Sequence, residues 1–218
     1  MAGQAAVEET ARLRHARALH PAGRMFGGTL HIDPDARHVL PAGSGPLAAV
    51  GEHGVIARLS KGGGLPDGLP DALGLALRVP THGTPIDLLF TTSLLRHLPW
   101  PRRSFATGVF STLMPYRLGG RIRLLGVFPL RGQRLPARIG DLDDAVRAER
   151  PLFALAATTI VGGWRPFARL RLHTPLDDDR TFDPVLNARP EAHLAGPLVR
   201  LRRRAYAASR RGRDAPEP

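Results

Sequence analysis

The stretch "ARLRLH" (168–173) sets Ala168, Leu170 and Leu172 on one side of an extended chain and Arg169, Arg171 and His173 on the other. A period of two marks a half-buried antiparallel strand, because successive side chains of an extended backbone point to opposite faces. "RIRLLGVF" (121–128) opens in the same way, with Ile122 and Leu124 against Arg121 and Arg123. Short apolar or alternating runs recur at "FGGTLHI" (26–32), "VIARLS" (55–60), "GLALRV" (74–79), "IDLLFTT" (86–92) and "FALAATTIV" (153–161), separated by glycine and proline. Seven or eight such strands, in a chain carrying 24 glycines and 21 prolines, predict a barrel or a sandwich.

Helices are expected around the strands. Residues 5–20 are good helix formers closed by Pro21 and Gly23. "DLDDAVRAER" (141–150) puts aspartates first and arginines last, as the helix dipole favours, and a last helix fits 197–211. The class is therefore mainly β with flanking helices (α+β). A single domain over 1–218 is expected, with its core in 12–213 and flexible ends at 1–11 and 214–218.

With 43% of its 218 residues hydrophobic, the chain can bury one sizeable core. Its 31 basic residues, all arginine except Lys61, outnumber 19 acidic ones and give a net charge of +12. The excess points to an anionic partner: a phosphate backbone, a lipid surface or an anionic cofactor. The absence of cysteine excludes disulfides and thiolate chemistry. The opening "MAGQAAVEETARLRHARALHP" has charges where a signal peptide needs an apolar run, and no stretch approaches a membrane span. A soluble cytoplasmic protein is expected, with no transmembrane segment and with peripheral membrane contact compatible with its charge.

The chain ends in "VRLRRRAYAASRRGRDAPEP" (199–218). If 197–213 is helical, Arg202, Tyr206, Ser209 and Arg213 stand at i, i+4, i+7 and i+11, which is one face. On the helix alone, Tyr206 reads more readily as an amphipathic anchor packed on the barrel while the arginines face water.

Three segments together resemble the monofunctional heme catalases. Arg17, His20 and Gly23, with Gly27 and Gly28 opening a strand, are similar to the segment of the family's essential distal histidine. "ARLS" (57–60), "PDALGLALRV" (70–79) and "DLLFTT" (87–92) look like its arginine–phenylalanine–serine strand, the following strand and the segment of its distal asparagine. Arg202, Tyr206, Ser209, Arg211 and Arg213 match its proximal signature, and "FDP" (182–184) also resembles the family. The resemblance covers most of 12–213, most weakly over 95–150.

The resemblance implies a catalase-like antiparallel β-barrel that holds heme b (iron protoporphyrin) and acts on a small-molecule hydroperoxide. Tyr206 would be the axial iron ligand, with Arg202 one turn back stabilising its phenolate. Arg17, Arg58 and Arg213 would grip the heme propionates, since a guanidinium can donate two parallel hydrogen bonds to a carboxylate. His20 would move the hydroperoxide proton as general base and acid, and Ser60 would fix the imidazole tautomer. The sequence departs from the family at the distal asparagine, where Thr92 or a neighbour stands. A hydroxyl lacks the reach and paired geometry of a carboxamide. The departure implies a peroxidase with weak catalase activity at most. No residue fixes the oligomeric state.

Two other classes remain in view. His31, Asp33, Asp35 and His38 in "HIDPDARH" (31–38) resemble ligands of a metal-dependent hydrolase such as a phosphodiesterase, although no second cluster completes a site. A non-catalytic heme- or polyanion-binding protein would also use the arginines. Nucleic acid is disfavoured, because the few aromatic residues are not interleaved with the basic runs. The glycine run 62–64 lacks the lysine and hydroxyl pair of a phosphate loop.

Overall fold

The computed structural model describes residues 22–178 and 180–196. Helices expected at 5–20 and 197–211, and with them Arg17, His20, Arg202, Tyr206 and Arg213, lie outside the described residues.

Seven long strands correspond to the seven apolar runs: β1 (Ala22–Ile32), β2 (Gly51–Lys61), β3 (Leu73–Val79), β4 (Ile86–Leu94), β8 (Arg121–Pro129), β9 (Leu152–Thr158) and β10 (Arg165–Leu176). Four pieces of two or three residues complete the set: β5 (Leu98–Pro99), β6 (Val109–Ser111), β7 (Tyr116–Leu118) and β11 (Ala192–Leu194). Strands β1, β2, β3, β4, β6, β8, β9 and β10 pair antiparallel in that order, and β10 returns to β1. The result is a closed eight-stranded barrel, whose closure removes exposed edges from the ring. β5 extends β4, while β7 and β11 extend from β8.

Inside the ring, Phe26 and Leu30 of β1, Ala57 and Leu59 of β2, Leu77 of β3, Phe90 of β4, Phe110 of β6, Val127 of β8, Leu155 of β9 and Leu170 of β10 form one buried cluster. Each large member contributes about 1.5–3 kcal/mol by leaving water. The alternate residues face outward, so the site can be located by register alone.

Two boundaries depart from expectation. "FALAATTIV" stays a strand only to Thr158, and Ile160 and Val161 enter the turn toward Gly162 and Gly163. The chain must reverse there so that Arg165 can pair with Ala157. In "ARLRLH" the register shifts opposite Gly27 and Gly28, so that Gly28 pairs with Leu172 and Gly27 with Thr174. His173 is the extra residue of that bulge.

Helix α1 (Ala36–Val39) follows β1, and α2 (Leu142–Glu149) occupies the predicted 141–150. α2 buries Leu142 and Val146, carries Asp143 and Asp144 in its first turn, and ends at Arg150 in the left-handed region, φ 42°. Arg24 donates from Nε to Asp143 Oδ1 at 2.9 Å, fixing the helix to β1. That bond, more than any other cause, holds the Arg24 pKa above its ordinary value.

Candidate functional site

β2 carries two of the anticipated site residues on its outer face. Arg58 and Ser60 are 6% and 3% exposed, although neither belongs to the barrel interior. Ser60 pairs with Gly23 on β1 and with Gly74 on β3; Gly74 pairs with Thr91 on β4, and Thr91 with Ser111 on β6. Directly paired residues present their side chains on one face, so a row of small residues crosses the outer wall. Two residues along, about 7 Å away, runs a second row: Met25, Arg58, Ala76 and Leu89.

Gly23 is where backbone and site meet most closely. A Cβ there would stand 2.6 Å from Leu59 O and 2.8 Å from Arg58 Cζ. Only glycine lets the guanidinium lie against β1 at this point, three residues after His20 in the chain. Ser60, one residue before the end of β2, is paired on both sides.

Thr92 does not join this face. It points into the core with no exposed surface. Its hydroxyl accepts from Leu73 N at 2.9 Å and donates to Trp100 O at 2.7 Å. A hydroxyl has one proton to give, and here that proton ties β4 to the segment after β5. The neighbour Thr91, half-buried, shares the row of Ser60. Alternation along "DLLFTT" could have distinguished the two, since Leu88 and Phe90 mark the core face that Thr92 shares.

A third row on the same wall, Gly27, Ile56, Arg78 and Asp87, borders a cleft of about 520 Å³ that Gly54, Pro80 and His173 also line. That volume suits a small molecule. Arg78 donates both Nε and an Nη to Asp87 at 2.7 Å, donates to Thr181 O at 2.8 Å, and lies 5.1 Å above the Phe182 ring. The bond to Asp87 is the main cause raising the Arg78 pKa. Asp87, fully buried, also accepts from Asp183 N at 2.8 Å and Asn187 Nδ2 at 2.7 Å. "FDP" (182–184) is therefore clamped onto β3 and β4 by one carboxylate. This hub was missed in the sequence, although Asp87 on the face of Arg78, one short turn away, was its signal.

The wall suits a flat, largely apolar dianion. Gly23, Gly74 and Ala76 leave a floor with few protruding side chains, and Arg58 brings a guanidinium to it. Such a floor and cation are what a heme would need of this wall; Tyr206 and His20, the expected ligand and general base, lie outside the described residues.

The remaining candidates separate from this face. Tyr116, the other tyrosine, is buried and donates from its hydroxyl to Asp87 O at 3.3 Å. His31 lies 3.5 Å from Asp33, but Asp33 Oδ1 accepts from Arg169 at 2.8 Å. Among the described residues no group of three or more histidines and carboxylates could hold a metal ion, so His31, Asp33, Asp35 and His38 do not assemble the hydrolase centre considered above. In the glycine loop, Gly63 N and Leu65 N donate to Asp71 at 2.8 and 3.0 Å. The backbone groups that would cradle a phosphate already hold a carboxylate.

No family model and no curated protein matches the sequence. Solved structures do. A fungal catalase superposes with a TM-score of 0.69 at 13% identity, over 89% of this chain and 58% of the catalase. Catalase A from Saccharomyces cerevisiae gives a TM-score of 0.69 at 11% identity, over 91% of this chain and 60% of its own length. The chain thus spans less than two thirds of either catalase, and at such identity the likeness is one of fold. This protein is built as a catalase-like antiparallel β-barrel.

Proposed function

We propose that the chain is a hydroperoxidase that holds heme b against the outer wall formed by β1 to β4. The observation that carries the reading is the burial of Arg58 and Ser60 on one face with Gly23 and Gly74, on a barrel like that of the catalases. Arg58, with Arg17 and Arg213, would bind the propionates through paired charge-assisted hydrogen bonds. Tyr206 would ligate the iron as phenolate, and Arg202 would stabilise its negative charge. When bound, the heme would supply the redox chemistry at iron.

The chain's own work is to orient the hydroperoxide and move its proton. His20 would take the proton from the inner oxygen and deliver it to the outer, departing one. Ser60 would hydrogen-bond the other ring nitrogen and hold the tautomer that His20 needs. By the resemblance, Thr91 on this wall would stand nearest the position of the distal asparagine, and Thr92 has its proton committed to Trp100 O. A single hydroxyl orients peroxide poorly, so oxidation of an organic co-substrate should outpace disproportionation of hydrogen peroxide.

Hemin titration of the purified protein beside Tyr206→Phe tests the reading. A Soret band that shifts in the variant, with His20→Ala retaining hemin but losing about 100-fold or more of peroxidase rate, is the expected result. Absence of stoichiometric hemin binding by the unaltered chain would end it.

A further inference from the structure

We propose that the loop tips at 94–100 and 159–164 dock this protein on an anionic membrane surface. This stands independently of the heme reading. Leu95 is 81% exposed, Ile160 64% and Val161 94%, and Leu98 and Trp100 are also exposed. Arg96 joins the two tips, donating to Ile160 O at 3.3 Å and Gly162 O at 2.6 Å with its guanidinium 5.3 Å above the Trp164 ring. Isolated exposed leucines are ordinary, but a cluster of them on two loop tips bridged by one arginine marks an interaction site.

Backbone strain points the same way. Leu95 and Arg96 both adopt positive φ, 50° and 71°, where side chains other than Asn, Asp or Gly are uncommon. The strain is retained while Leu95 is held out in water, which no packing within the described residues explains. His97 and Ser111 fix the turn instead, bonding to Leu113 O and Arg96 O.

Charge selects the occupant. The chain has no Asp or Glu between Asp87 and Asp141, nor between Glu149 and Asp177, so each tip rises from a purely basic segment. Arg102 and Arg103 follow the first tip and Arg165 the second. Both tryptophans of the chain, Trp100 and Trp164, lie in this cluster. Apolar tips with tryptophan, backed by arginine, fit the boundary between acyl chains and anionic headgroups.

Sedimentation with phosphatidylcholine vesicles, alone and with about a quarter phosphatidylserine, tests this, read beside tryptophan emission. The full chain should bind only the anionic vesicles, with a blue shift, and release as salt rises. Leu95→Asp with Val161→Asp should bind about a hundred-fold more weakly while keeping the circular dichroism of the unaltered chain. Equal binding by the double variant, or none by the unaltered chain, overturns the proposal. So does a dimer that the double variant abolishes, which would make a second copy the occupant. A DNA duplex that shifts the emission as the vesicles do would assign the surface to nucleic acid and likewise overturn it.

Discussion

Asp87 is a hub of the structure: one buried carboxylate satisfies Arg78, Asp183 N and Asn187. Asp87→Asn keeps the shape but removes the charge that compensates a half-buried guanidinium, and leaves an amide where several donors converge. Breaking such a pair costs about 3–5 kcal/mol, so urea unfolding should show a loss of at least about 3 kcal/mol. A loss below about 1 kcal/mol would mean that the pair acts as a solvated one. Glu191 shows the milder case. Its carboxyl is held below the usual carboxylate range first by its own backbone N–H and then by Arg189. A depressed folded pKa contributes stability that is present above the unfolded value and disappears as pH falls through the folded one. Glu191→Gln should therefore flatten the acid limb of a stability–pH profile below about pH 4.3 and change little near neutrality. At this scale the sequence was partly legible. Arg58 and Ser60 could be put on one face because they stand two apart in a single strand, β2, whereas telling the outward Thr91 from the buried Thr92 required the face of β4.

Among elements, the hairpin joining β4 and β5 carries two consecutive non-glycine residues at positive φ, where Leu113 and Arg150 each stand alone. Leu95 pays roughly 1–2 kcal/mol for its left-handed backbone, and glycine has no such penalty but more unfolded-state entropy to lose. Leu95→Gly should raise stability by about 0.5–1 kcal/mol, seen as a higher urea midpoint at unchanged slope, while weakening binding to anionic vesicles. Opposite movement of the two readouts is expected only if the strain serves docking; a substitution that lowers both would place Leu95 in the fold. The long strands and α2 were legible because their periods, two and 3.6, persist for seven residues or more. β5, β6, β7 and β11 were not, because two or three residues complete no period and their pairing is decided by partners distant in sequence. The end of β9 was misplaced for a related reason: Ile160 and Val161 have strong strand propensity, but the return to β10 overrides it.

On the scale of the molecule, a closed ring links elements that no local pattern relates. The alternating runs pointed to a barrel or sandwich, and pairing of β10 with β1 and of β8 with β9 makes it a barrel. The additions are tied into the ring: α2 through Arg24 and Asp143, the 181–187 segment through Asp87, and β11 through β7 and β8. None of these has a core of its own, so none should unfold before the barrel does. Far-ultraviolet circular dichroism and tryptophan emission should then give coincident urea transitions, as a single cooperative unit requires. Refolding should fall in the millisecond-to-second range of topologies dominated by non-local pairing. The two tryptophans make the comparison demanding, since both sit at the tips and Trp164 packs edge-on against Phe128 at 5.5 Å. An emission change well before the loss of strand signal would show the tips loosening from an intact ring, with β9 and β10 opening at their turn first. Coincidence would instead mean that Arg96, by bridging the tips, makes the exposed cluster as rigid as the barrel beneath it.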